Sequence, residues 1–109
     1  MNTESGIKFK KGGIYNWNDD SGYTIIIDYN NRQRVFGYDV INTYISTTDC
    51  TCKHIRQILQ MQINDGLERT HSDYFWNETV GFVNNYLDGY VGQVEDKQLK
   101  KLQKYLDTH

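Results

Sequence analysis

Apolar and polar residues alternate through the first half of the chain in a pattern typical of β-strands. The apolar segments lie at 14–18, 23–29, 34–41 and 44–45, and clusters of turn residues lie between them at 19–22 and 30–33. Period-two alternation bounded by turn residues indicates strands. The sequence therefore predicts an antiparallel meander whose central strand is the β-branched, apolar segment 23–29.

The middle of the chain fits two periods. Ile55, Ile58, Leu59 and Ile63 have helical spacing, and Thr48 or Asp49 would cap such a helix. The end of the same segment also fits period two, with Leu59, Met61 and Ile63 pointing inward and Gln60 and Gln62 outward. Between these alternatives we expect a loop followed by a strand, then a turn at 64–66.

The C-terminal part ends in a clear helical pattern. Residues 72–76 read as a short strand, and 78–87 as a strand, a helical turn or both. A helix opens at Glu95-Asp96, and Leu99, Leu102 and Leu106 form one apolar stripe along it. Its lysines, Lys97, Lys100, Lys101 and Lys104, lie off that stripe. We expect one mostly β domain (α+β) over 1–109, with a C-terminal helix and a flexible tail at 1–6.

Composition and charge limit the binding partners and the cellular location that we expect for this domain. The 109 residues carry a formal net charge of −2 and include two cysteines, no proline and no alanine. This charge does not favour tight non-specific binding to nucleic acid. No apolar run has the length of a membrane span, and the N-terminus lacks the apolar core of a signal peptide. We expect a cytoplasmic protein that does not contact the membrane.

Several side chains have types that carry chemistry. Cys50 and Cys52 lie one residue apart, a spacing poorly suited to pairing and to a zinc site, so with His54 and His71 nearby we still expect no metal and no cofactor. His54 and His71 titrate near neutral pH and are candidate general bases. Tyr15, Trp17 and Tyr23 are candidates for stacking on bases or on a protein partner, although strand aromatics more often belong to the core.

Two stretches resemble the PemK/MazF toxin family. The first comprises Phe9-Lys10-Lys11-Gly12-Gly13-Ile14-Tyr15, the run Ile25-Ile26-Ile27, the turn Asn30-Asn31 and the segment 40–48, which resembles the family's strand closing on Thr-Ser. The second comprises Ser72-Asp73-Tyr74-Phe75-Trp76-Asn77, then Leu87 to Val94 and the helix with Leu99 and Leu106. The order and spacing of these stretches match diverged PemK-like proteins over nearly the whole chain.

The resemblance implies a small, curved antiparallel β barrel with a C-terminal helix, which pairs as a homodimer. It also implies a metal-free endoribonuclease that cuts single-stranded RNA and is restrained by an antitoxin. In such chemistry a base takes the 2′-hydroxyl proton, and an arginine with hydroxyl donors stabilises the phosphorane charge. Thr47 or Thr48 lies where the family places a catalytic threonine.

The family's catalytic arginine is missing from this chain. Gly22-Tyr23 stands where the family has Arg-Pro, and Gly13 replaces the first-strand aspartate. Arg32, Arg34 and Arg56 are the candidate replacements. With Tyr15, Trp17, Tyr23, Asn30 and Asn31 as binding residues, we expect RNA binding with impaired cleavage. The alternative is a non-enzymatic inhibitor, encoded by a phage or mobile element, that binds a host nuclease or an anti-phage defence protein of the CRISPR kind.

Overall fold

The domain is a five-stranded antiparallel sheet with helices on both faces. A computed structural model describes residues 9–18, 22–30, 33–42, 51–67 and 72–108. Its elements are β1 (Gly13–Trp17), β2 (Gly22–Tyr29), β3 (Arg34–Asn42), α1 (Cys52–Asp65), a 3₁₀ turn (Ser72–Tyr74), β4 (Phe75–Thr79), α2 (Val80–Tyr86), β5 (Leu87–Gln93) and α3 (Asp96–Thr108). The strand order is β4-β3-β2-β1-β5. This arrangement confirms the predicted meander and the central position of β2.

The sheet buries apolar side chains on both faces. Ile25, Ile26 and Ile27 are consecutive and all fully buried, because successive side chains of a strand point to opposite faces. On one side, here called the helical face, Ile25 and Ile27 pack with residues of α1 and α3. On the other, here called the α2 face, Ile26 packs with Val80 and Val83 of α2.

The expected strand within residues 50–64 is wrong, because this segment forms helix α1. The helix begins after Thr51, whose side chain accepts a hydrogen bond from the backbone N–H of His54 at 3.2 Å. Ile55 and Leu59, one turn apart, are both fully buried against the sheet, whereas Met61 is 65% exposed. The helical spacing therefore places Ile55 and Leu59 in one stripe that packs on the core. The predicted strand would instead have buried Met61.

The C-terminal half combines strand and helix as the ambiguous pattern at 78–87 allowed. Residues 72–74 form the 3₁₀ turn, so the predicted strand at 72–76 begins only at Phe75. Helix α2 then crosses the α2 face: its start is fixed by Val80 N–H donating to Gln33 O at 2.9 Å, and its end by Asn18 N–H donating to Tyr86 O at 2.9 Å. Strand β5, which the sequence pattern did not predict, pairs with β1.

The described strands form an open sheet rather than the expected barrel. Strand β4 pairs with the outer edge of β3, and β5 pairs with the outer edge of β1. Three strands therefore separate the two edge strands, which do not pair with each other. Helix α1 lies between β3 and β4 in the chain, where the sequence predicted a further strand. The strand at 44–45 and the tail at 1–6 lie outside the described residues.

Helix α3 confirms the predicted stripe. Leu102 is fully buried in the core of the helical face, and Leu99 and Leu106 pack against that core. The backbone N–H of Glu95 donates to Gln98 Oε1 at 3.2 Å, which satisfies a donor at the helix start. Gln98 is itself buried and donates from Nε2 to Arg56 O at 2.9 Å. This side chain ties α3 to α1.

Candidate binding face

Arg34 and Arg56, two of the three arginines proposed as catalytic replacements, hydrogen-bond to the two opposite edge strands of the sheet. Arg34 donates from Nε to Asn77 Oδ1 at 2.9 Å and so joins β3 to β4. Arg56 donates from Nη1 to Gln93 O at 3.1 Å and joins α1 to β5. With neighbouring strands about 4.8 Å apart, the edges of a five-stranded sheet are roughly 19 Å apart. These two guanidinium groups are tethers between elements and do not converge on one phosphate.

The other catalytic candidates divide between one described residue and four outside the described ranges. His54 is exposed in the first turn of α1. Arg32, Thr47, Thr48 and His71 lie outside the described residues, as do Asn31 and Cys50. Cys52 is half-buried, with Sγ 3.5 Å from Gln93 O. Within the described ranges no three His, Cys, Asp or Glu side chains are grouped so as to hold a metal ion.

Two lysines lie over two tyrosine rings at one end of the α2 face. The Nζ of Lys10 is 5.0 Å from the centroid of Tyr90, and the Nζ of Lys11 is 5.0 Å from the centroid of Tyr29. Tyr90 is 48% exposed. We call these four residues the lysine–tyrosine rim. It presents aromatic surface and positive charge together, within the range of a cation–π contact.

Tyr15 supports this rim from below. Its ring is 5% exposed and lies 5.5 Å from that of Tyr90, with Phe9 packed edge-on at 4.9 Å. Its hydroxyl accepts a hydrogen bond from the backbone N–H of Lys10 at 2.9 Å. Burial raises the pKa of Tyr15, the Lys10 hydrogen bond opposes this, and the hydroxyls of Tyr90 and Tyr29 add to the increase. Tyr15 therefore offers a ligand little surface but fixes the position of Lys10.

A second cluster on the α2 face joins two indoles to a carboxylate and a hydroxyl. Trp17 donates from Nε1 to Asp39 Oδ1 at 2.9 Å, and Trp76 donates from Nε1 to Thr24 Oγ1 at 2.8 Å. Thr24 in turn donates to Tyr38 O at 3.0 Å. Each indole reaches past a neighbouring strand, so the cluster connects β1, β2, β3 and β4.

The carboxylate of Asp39 is held in a partly buried position. Desolvation raises its pKa above the ordinary value for aspartate, and hydrogen bonds with Trp17, Thr24 and Trp76 act in the opposite direction. Gly37 makes the cluster possible, because a Cβ there would lie 2.1 Å from a ring carbon of Trp76. Sequence reasoning singled out Trp17 but missed the other members. The glycine inside a predicted strand was the available signal of close approach.

Exposed aromatic side chains of α2 lie beside this cluster. Phe82 is 37% exposed and Tyr86 is 48% exposed, and their ring centroids are 4.7 Å apart. Phe82 also lies edge-on to Trp17 at 6.5 Å. We call Phe82 and Tyr86 the aromatic ridge. Solvent-facing apolar surface of this kind is typical of contact sites.

The remaining binding candidates lie apart from both clusters. Tyr23 is half-buried and packs against the core of the helical face. Asn30 is exposed and closes the turn between β2 and β3, since its Oδ1 accepts from Arg34 N–H at 3.2 Å. Of the predicted binding residues that the structure describes, Tyr15 and Trp17 therefore share the α2 face, one beneath the rim and one beside the ridge.

Comparisons with protein-family models, with curated proteins and with solved structures find no significant match to this chain. None of the described helices is long and apolar enough to cross a membrane.

Proposed function

We propose that this domain binds single-stranded RNA on the lysine–tyrosine rim, as a diverged PemK/MazF-like protein with weak or absent ribonuclease activity. The observation that carries the proposal is the repeated pairing of lysine with tyrosine, Lys10 with Tyr90 and Lys11 with Tyr29, each at 5.0 Å. Every base has a π-face that stacks on an aromatic ring, and lysine attracts the phosphate backbone. The rim supplies both groups side by side, although the Nζ of Lys11 is also 3.0 Å from Asp28 Oδ1, so a phosphate would compete with that carboxylate.

The proposed chemistry is binding because binding needs fewer groups than cleavage. Stacking and two positive charges suffice to hold a strand, whereas phosphate cleavage also needs a base and a group that stabilises the transition state. Arg34 lies on β3 and is held by Asn77, whereas His54 and Arg56 lie on α1, where Arg56 is held by the backbone oxygen of Gln93. Loss of one charge-stabilising group costs about 3–4 kcal/mol of barrier in other enzymes.

Fluorescence anisotropy with a labelled oligouridine tests the binding. We expect Tyr90→Ala to weaken binding by about 5- to 150-fold, the range for loss of one stacked base. Tyr86→Ala is a matched control, because Tyr86 is equally exposed at 48% but lies on the aromatic ridge. Equal losses in the two variants would argue against the rim as the RNA site.

The salt dependence gives a second, independent readout. Two phosphate contacts predict a slope of about −1.4 for the logarithm of affinity against the logarithm of salt concentration, and Lys10→Gln should reduce it to about −0.7. Lys100→Gln removes the same charge from an exposed position on α3 and should leave the slope unchanged. A slope that Lys10→Gln does not alter contradicts the proposal.

Incubation with a long single-stranded RNA in the absence of metal tests for cleavage. We expect no specific cuts. Specific cuts that Thr48→Ala or His71→Ala abolishes would show that the chain retains the enzymatic activity of the PemK/MazF family.

The aromatic ridge favours a second candidate function, recognition of a protein partner. Aromatic side chains are the residues that contribute most to protein interfaces. Under this alternative the domain is an inhibitor of a host nuclease or an anti-phage defence protein. For a purified candidate target, Phe82→Ser should abolish inhibition and binding, whereas Tyr90→Ala should retain both. The reverse result would assign the partner to the rim and reject this alternative.

A further inference from the structure

An open groove lies beside the C-terminal end of α3, next to β4 at the edge of the sheet. Its volume is about 460 Å³, within the range of small-molecule sites. Strands β2, β3 and β4 form one wall, and the last residues of α3 form the other. The groove is lined by Asp28, Phe36, Phe75, Trp76, Asn77, Leu106 and Asp107.

The apolar part of this groove is fixed by packing. Phe75 stacks on Tyr105 with ring centroids 4.1 Å apart and planes only 8° from parallel, and it lies 4.7 Å from Tyr38. Phe36 and Leu106 are half-buried beside it. A ligand would therefore meet an ordered apolar surface, and little side-chain ordering would oppose its binding.

The polar part of the groove is negative. Asp28 and Asp107 both line it, and the last turn of α3 contains no basic residue. The C-terminal end of a helix carries a partial negative charge, which favours a cation there. Asp107 adds to that charge, and among the described residues the last turn of α3 itself contains no lysine or arginine to offset it.

Two cations lie next to this groove, and one of them, Lys11, partly offsets the charge of the groove carboxylate Asp28. Lys11 Nζ is 3.0 Å from Asp28 Oδ1, with both side chains nearly half exposed, and such pairs contribute little to stability. Within the described part of the chain, the other contact of the Asp28 carboxylate is also made by Oδ1, which accepts from Tyr29 N–H. Neither of these two contacts involves Oδ2. Arg34 donates a hydrogen bond to Asn77, which also lines the groove.

We propose that this groove binds a small organic cation, an ammonium or guanidinium group on an apolar stem. The stem packs on Phe36, Phe75 and Leu106, and the charged group lies between Asp107 and Asp28. The aromatic rings attract the cation further through their negative faces. The groove adjoins the lysine–tyrosine rim through the Lys11–Asp28 pair, so its test uses Asp107 on α3 and needs no RNA.

The test is a titration of the full chain with phenethylammonium, followed by the backbone amide chemical shifts. Phenethyl alcohol is the matched neutral probe. We expect the cation to shift amides of residues 105–108 and of Phe36 and Phe75, and to bind at least fivefold more tightly than the alcohol, about the factor for one charge contact in water. Equal affinities, or shifts confined to another part of the chain, would overturn the proposal.

Matched charge variants separate this site from general electrostatics. Asp107→Asn should lower the affinity for phenethylammonium by about fivefold. Asp65→Asn removes the same charge from an exposed position at the end of α1 and should leave the affinity unchanged. Phe36→Leu keeps an apolar side chain but removes the ring. It should weaken the binding of the cation more than the binding of the alcohol. Equal effects of Asp107→Asn and Asp65→Asn would reject the groove as the site.

Discussion

The indole of Trp17 donates a hydrogen bond from Nε1 to the carboxylate of Asp39 at 2.9 Å, across the central strand of the sheet. The two residues are 22 positions apart in the sequence and lie on β1 and β3. Burial raises the pKa of this carboxylate, and the Trp17, Thr24 and Trp76 hydrogen bonds only partly oppose the increase. Burying the charged form of Asp39 therefore lowers the free energy of unfolding.

The raised pKa of Asp39 predicts a specific pH dependence of stability. An acid whose pKa is higher in the folded state binds its proton more tightly there, so its stabilising contribution is complete below the unfolded-state pKa, near 3.9. That contribution is lost as pH rises through the folded-state pKa. In urea unfolding, the stability of the wild type relative to Asp39→Asn should therefore fall as pH rises through this window. A constant difference across the window would contradict the prediction.

Gly37 is predicted to tolerate no side chain. A Cβ at this position would lie 2.1 Å from a ring carbon of Trp76, so Gly37→Ala must displace the indole and disturb its bond to Thr24. We expect a loss of about 1–3 kcal/mol in the free energy of unfolding. Gly81→Ala is the control, because nothing lies within 4 Å of its added Cβ, and on α2 it should raise stability by up to about 1 kcal/mol.

Leu102 anchors the C-terminal helix to the core. The side chain is fully buried, so Leu102→Ala should reduce the free energy of unfolding by about 2–5 kcal/mol. Leu106 lies one turn later and is only half-buried, so Leu106→Ala should cost about 1 kcal/mol. Chemical denaturation of both variants gives the comparison. Equal losses would mean that the end of α3 is as deeply packed as its centre.

We predict a homodimer, since the PemK/MazF resemblance implies pairing and the aromatic ridge supplies exposed apolar surface. Light scattering at high micromolar concentration should give twice the 12.9 kDa chain mass. The double variant Phe82→Ser, Tyr86→Ser should give a monomer. Met61→Ser, at a 65% exposed position on α1, should stay dimeric. A monomeric wild type would contradict the dimer and leave the ridge free for another protein.

The local pattern of apolar residues was sufficient to predict an element where only one spacing, that of a strand or that of a helix, fitted the segment. The meander was predicted because turn residues separate its apolar segments. The run Ile25-Ile26-Ile27 identified the central strand, and the structure shows that this run is buried on both faces. The last helix was predicted because Leu99, Leu102 and Leu106 repeat at three and four residues and no competing period is present. In these segments the energetics of burial depend mainly on spacing along the chain.

Tertiary structure decided the elements for which spacing allowed two answers. Leu59 and Ile63 fit a strand as well as a helix, and only the sheet surface that α1 covers placed Ile55 and Leu59 together in the core. No local pattern in the sequence predicted the contact of Trp17 with Asp39 or that of Lys10 with Tyr90. Such contacts depend on strand pairing and register, and register is set by which long-range burial is most favourable for the whole sheet.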